Sequence, residues 1–137
     1  MVTLKDVRSS PIINTFIQKG NEHLGVMGYT DHGQLHLSLV SALSKDIMIK
    51  LGYDERLAEL AGIAGYMHDI GNVINRIGHS QSGALMAMEI LRRMGMVPDE
   101  AAIITAAIGN HDEGSGQPVN AVAAALILAD KSHVHRN

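Results

Sequence analysis

Apolar residues recur along the chain at steps of three and four, with few interruptions, and no segment alternates over six residues with β-branched and aromatic types. The pattern predicts helices and no sheet. A first helix is expected after Ser10-Pro11, through Ile12, Ile13, Phe16 and Ile17 to a stop near Gly20. A second starts around Asp31 and shows Leu39, Val40, Leu43 and Ile47, with Leu51 before Gly52. A third is capped by Asp54 and carries Leu57, Leu60, Ala61, Ala64 and Met67 up to His68-Asp69-Ile70-Gly71. A fourth runs from near Ser80 to Met94, where Gly95 stops it. A fifth opens at Pro98-Asp99-Glu100 and reaches about Asn110. A sixth runs from near Asn120 to Asp130. With no internal repeat and no linker, residues 1–137 are expected to form a single all-α domain, a bundle of about six helices.

Composition narrows the function. The 14 acidic and 11 basic side chains are mixed along the chain and leave a net charge of -3. No basic block points to a nucleic-acid polymer. No apolar run is long enough to span a bilayer and no signal peptide opens the chain, so a soluble cytoplasmic protein is expected. The absence of cysteine excludes disulfides, thiolate metal sites and cysteine nucleophiles. A helical domain with eight Met residues can pair with a second copy, so a homo-oligomer stays open.

Against this background the chain carries eight histidines, spread along its length without a tag-like run. His36 lies on one stripe with Val40, Leu43 and Ile47, at steps of four, three and four, and so points inward. His32 stands one turn earlier on that face. His68 and Asp69 directly follow the apolar stripe of the third helix. Asp130 closes the stripe Leu126, Ile127, Ala129 of the last. Each alone has an ordinary explanation, such as a hydrogen-bonded core imidazole or a capping carboxylate. Together they place a His, a His-Asp pair and an Asp from three core helices where burial is costly unless the groups satisfy one another or a cation. Imidazole and carboxylate donors without thiolate suit Fe, Mn, Zn, Ni or Co. A carboxylate flanked by histidines can bridge two such ions, which activate water and clamp a phosphoryl group. His23, His133 and His135 read as loop or tail residues.

The order His36, His68-Asp69, Asp130 resembles that of the HD superfamily of metal-dependent phosphohydrolases, and His68-Asp69-Ile70-Gly71 looks like its HDIG string. The resemblance covers the chain from the second helix to Asp130. His79, in His79-Ser80-Gln81-Ser82-Gly83-Ala84, and His111, in Asn110-His111-Asp112-Glu113, look like the additional ligands of the dinuclear branch. HD-GYP phosphodiesterases and myo-inositol oxygenase share this ligand order. The resemblance implies one divalent transition metal held by His36, His68, Asp69 and Asp130. It implies a second held by Asp69, His79 and His111, with Asp69 bridging and His68 and Asp69 at the centre of catalysis.

The implied activity is hydrolysis of a small-molecule phosphomonoester or phosphodiester, such as a nucleotide. The alternatives are a diiron oxygenase on the same ligands and a non-catalytic nucleotide sensor. Arg76, Lys131 and His32 are candidate substrate contacts, and Asp31 and Asp112 candidate acceptors behind the ligand histidines. HD-GYP members usually carry Lys after HDIG, where this chain has Asn72. Their GYP tripeptide would fall at Gly116-Gln117-Pro118, so cyclic di-GMP is not the expected substrate. The chain ends seven residues after Asp130, which reads as a minimal domain.

Overall fold

The computed structural model describes residues 1–29, 33–112, 114 and 116–134, with the backbone alone at Val134. Among them are seven α-helices and no strand. They are α1 (Leu4–Arg8), α2 (Pro11–Val26), α3 (Gln34–Lys50), α4 (Glu55–Met67), α5 (His79–Met94), α6 (Pro98–Gly109) and α7 (Ala121–Val134), with a 3-10 turn at Ile70–Val73 between α4 and α5.

Local chemistry explains most boundaries. Ser10 accepts from Ile13 N at 3.3 Å ahead of Pro11. Asp54 accepts from Leu57 N at 2.8 Å, and Asn120 accepts from Ala123 N at 2.7 Å. Gly95 ends α5 at φ 99°, in the left-handed region.

Four expectations need correction. The chain has a seventh helix, α1, too short to show a hydrophobic period. A reciprocal cap builds it: Thr3 Oγ1 accepts from Asp6 N and Asp6 accepts from Thr3 N. Next, α2 does not stop at Gly20 but continues to Val26, because Gly20 is buried where α2 packs against the 3-10 turn. The inward face of α3 is also rotated from the expected stripe. Leu39 and Leu51 are exposed, while Leu37, Ser41, Ser44 and Met48 are buried beside His36 and Val40. Finally, α7 runs a turn past Asp130 and takes in His133.

The central helix is α4, buried from Leu60 through Met67. Leu37 of α3, Ile104 and Ile108 of α6 and Leu126 of α7, helices that pack on it, have no exposed surface. Each such side chain contributes about 1.5–3 kcal/mol. α3 lies unusually close to α4. Ser41 Oγ donates to Gly62 O at 2.7 Å, and a Cβ on Gly65 would stand 2.8 Å from Ser41 Cα.

Two contacts orient α4 and α6. Near their starts, Arg56 donates to Glu100 at 2.6 and 2.9 Å. Past their ends, the His68 and His111 rings meet at 5.0 Å. The two helices therefore run in the same direction. With the last turn of α7, their C-terminal ends converge where α3 and α5 begin. Three helix C-termini and two N-termini thus meet at one spot, where their dipole fields oppose one another and leave the sign of the local charge to the side chains. Among the described residues no helix is long and apolar enough to cross a membrane.

Candidate metal centre

That end of the bundle gathers six of the residues singled out in the sequence. His36 comes from the first turn of α3, His68 and Asp69 from the end of α4, and His79 from the first residue of α5. His111 follows α6, and Asp130 lies in α7. His36, His68, Asp69, His79 and His111 are buried, and the Asp130 side chain is 22% exposed.

The donor atoms form two groups around Asp69. In the first, His68 Nε2 lies 3.4 Å from Asp69 Oδ2 and 3.3 Å from Asp130 Oδ1. His36 Nε2 lies 3.6 Å from Asp69 Oδ2 and 3.4 Å from Asp130 Oδ1. In the second, His79 Nε2 and His111 Nε2 are 3.0 Å apart and stand 3.5 and 3.8 Å from Asp69 Oδ1. The two oxygens of one carboxylate thus face two sets of imidazoles.

Three histidines share one arrangement on the far side of the ring. Nδ1 of His68 donates to Gly65 O at 2.6 Å, that of His79 to Arg76 O at 2.9 Å, and that of His111 to Ile108 O at 2.5 Å. A carbonyl only accepts, so each Nδ1 carries a proton, and the neutral form of each ring presents its Nε2 lone pair to a cation. These acceptors are backbone groups at helix ends and in a loop, not the expected Asp112. His36 differs: its Nδ1 lies 2.7 Å from His133 Nδ1.

The donor set fits a divalent metal. It consists of imidazole nitrogens and carboxylate oxygens. The groups His36–His68–Asp130 and His68–Asp69–His111 each bring their ligand atoms within 4.8 Å of one another. His68 Nε2 and Asp130 Oδ1 are buried without a hydrogen bond, although they are a close ionic pair. Polar atoms so placed are costly unless something else satisfies them.

The two groups differ electrostatically. Burial pulls the His68 imidazole down, but the charges of Asp69 and Asp130 outweigh it and hold its pKa at about 9. Burial likewise pulls the His36 imidazole down, but the carboxylates of Asp130 and Asp69 beside its ring outweigh it, and its pKa is raised. Asp130 is held below the usual carboxylate range: burial pushes it up, but the neighbouring His68 and His36 prevail. In the other group burial dominates and pushes His79 down to about 4, against the pull of Asp69.

The remaining expectations divide. Arg76 reaches the site. Its Nη1 donates to Asp69 Oδ1 at 3.3 Å and to Asn72 Oδ1 at 3.2 Å. Asn72, noted in the sequence only as a departure from the HD-GYP pattern, is buried and helps hold Arg76. Lys131 is exposed and lines a cleft of about 600 Å³ with His111, Asp112, Pro118, Ile127 and Leu128. His32, Asp31 and His135 lie outside the described residues. His23 is not a loop residue but lies in α2, with Nδ1 2.9 Å from Val73 O. His133 is not a tail residue but lies on α7 against His36. Its signal was its spacing: three residues after Asp130, it shares that residue's helix face.

Glycine positions the second group. A Cβ on Gly71 would collide with His79 O and Gly83 N, so the 3-10 turn can lie against the start of α5 only because residue 71 has no side chain.

Comparison with known proteins bears on the family and the fold. The family model described as HD domain matches residues 35–134. An uncharacterized protein of Methanocaldococcus jannaschii is 28% identical over 97 residues, covering 60% of this chain and 38% of the relative. The chain thus spans well under half that relative's length. The crystal structure of a protein described as a predicted HD superfamily hydrolase, from an uncultured Thermotogales bacterium, aligns with a TM-score of 0.65. The alignment covers 99% of this chain and 79% of that one at 21% identity, a likeness of fold.

Proposed function

The chain belongs to the HD-domain family, and from that premise we propose that it is a metal-dependent phosphohydrolase acting on a small phosphomonoester or phosphodiester, such as a nucleotide. The observation that carries the reading is the Asp69 carboxylate, with Oδ2 toward His36 and His68 and Oδ1 toward His79 and His111. His36, His68, Asp69 and Asp130 would hold one divalent ion, and Asp69, His79 and His111 a second, from among Fe, Mn, Zn, Ni and Co. Bound there, such ions supply acidity to water and positive charge to phosphoryl oxygens.

The chain's own residues do the rest. Asp69 aligns the two groups about a common axis. Backbone carbonyls fix the tautomers of His68, His79 and His111. Arg76, braced by Asn72, has further guanidinium N–H groups for a phosphate oxygen. The cleft beside His111 has the volume of a small-molecule site, with Lys131 at its rim for a second anionic group and Ile127 and Leu128 for an apolar portion.

The test is metal analysis of the purified protein combined with a panel of nucleotide and sugar phosphoesters. About two transition-metal ions per chain and phosphate release that disappears in His68→Ala would support the reading. Failure to take up any transition metal would sink it, and oxygen consumption by the iron form without phosphate release would replace it with the oxygenase reading.

A further inference from the structure

His133 contacts a candidate metal ligand, and no function described above uses it. We propose that His133 is a positioning residue: by accepting the Nδ1 proton of His36, it sets the tautomer in which His36 Nε2 can bind metal. The inference rests on the metal-site reading of the preceding section.

Four imidazoles aim Nε2 at the centre, and each must carry its proton on Nδ1 to bind through Nε2. For three of them a backbone carbonyl imposes this, because a carbonyl cannot donate. His36 sits in the first turn of α3, where the carbonyl three residues back, that of Gly33, accepts from Leu37 N at 3.2 Å. Its Nδ1 instead meets Nδ1 of His133 at 2.7 Å, with ring centroids 4.8 Å apart. A contact of that length between two ring nitrogens requires one proton between them. If His36 donates, its Nε2 keeps a lone pair and His133 carries its proton on Nε2. If His133 donates, the His36 proton lies on Nε2, directed at Asp130 and Asp69, and excludes a cation.

The fold delivers both contacts from one helix. Asp130 and His133 are three residues apart on α7. Asp130 Oδ1 faces His36 Nε2 at 3.4 Å, and His133 faces the opposite nitrogen. One face of α7 therefore grips His36 at both ends of the ring. His133 also borders a largely apolar cleft of about 520 Å³ with Leu39, Leu43 and Ser132, on the other side of α7 from Lys131. This contact is thus partly exposed, as is that of His79 with Arg76 O, whereas those of His68 and His111 are buried.

The geometry supplies its own control. Nδ1 of a histidine is three bonds from Cα, as is Oδ1 of asparagine. His133→Asn can therefore offer an acceptor at nearly the same point, whereas His133→Ala offers none. Zinc affinities of the full chain would be measured by chelator competition, together with the melting temperature before metal addition. Histidine nitrogen NMR of the zinc-loaded protein would report which ring nitrogen of His36 carries the proton. His133→Ala is expected to weaken one of the zinc sites by about 10-fold to 100-fold, the range for a lost partner behind a ligand histidine. His133→Asn should recover most of that loss, and the spectrum should place the His36 proton on Nδ1. Equal zinc affinity for wild type and His133→Ala would overturn the inference while leaving the metal site standing. So would a His36 proton on Nε2, or an Asn variant as weak as Ala at the same melting temperature. A wild-type chain that binds no zinc or other transition metal would overturn both readings together.

Discussion

The two ligand groups meet at one carboxylate but are built differently. His36, His68 and Asp130 come from α3, α4 and α7, packed side by side along the core, with Gly65 letting α3 approach α4. His79 and His111 come from the start of α5 and the turn after α6, and their placement depends on the path of residues 70–78 and on the turn at Asn110. The first group has Asp130 to itself and shares Asp69. Among the described residues the second has no carboxylate of its own, and Arg76 stands against the Asp69 oxygen that faces it. Charge and rigidity point the same way: the first group should bind a cation tightly and the second weakly, so a chelator should remove one ion well before the other.

Asp69→Ala should have the largest effect, abolishing both ions and all phosphoester hydrolysis, as read by metal content and phosphate release. His79→Ala should leave one ion bound, whereas His68→Ala should leave none held tightly. Equal losses from these two variants would erase the proposed difference between the groups. Gly71→Ala should follow, at about 1–3 kcal/mol of stability from overpacking. Because its Cβ collides at the start of α5, the ion lost with it should be the one near His79, as metal content after mild chelation would show. Arg76→Ala should raise KM by about tenfold, the scale of one charge-assisted hydrogen bond, and Arg76→Lys should recover only part because Lys cannot bridge Asn72 and phosphate in the same fork.

The smallest effect is expected from the Arg56–Glu100 pair, which joins the first turns of α4 and α6, at the opposite end of these helices from the two ligand groups. Hydrogen bonding to Arg56 holds the Glu100 pKa below its ordinary 4.5. The pair's contribution is therefore fully present above about pH 4.5 and is lost as pH falls through the lowered value. Solvent screens this pair, so the contribution stays within about 1 kcal/mol. In thermal melts Arg56→Met should reduce stability at pH 7 and flatten its decline below pH 4.5. The ratio of the two metal affinities should not move; if it does, the helix pair transmits strain to the site and the groups are not independent.

Much of this was legible along the chain. The helix periods, the caps at Ser10 and Asp54, the proline opening at Pro98 and the stop at Gly95 are local properties, and local physics decides them. The polar interruptions His36, His68, Asp69 and Asp130 were legible because a charge or imidazole on an apolar face needs a reason. α1 escaped because five residues are too few for a period, and the end of α2 because a glycine can mark close packing as well as a stop. His133 escaped for a different reason: its partner is 97 positions away, and its three-residue step from Asp130 has meaning only if α7 continues past Asp130.

The sequence by itself determined that the protein is helical and which imidazoles and carboxylates interrupt its apolar faces, since burial cost and periodicity act within a few turns. Only the tertiary structure decided which oxygen of Asp69 faces which histidines, that Arg76 rests on Asn72, and that α7 reaches His36 from both sides. Those relations depend on how helix ends converge across the bundle, and convergence is a property of packing among distant segments that no local pattern encodes.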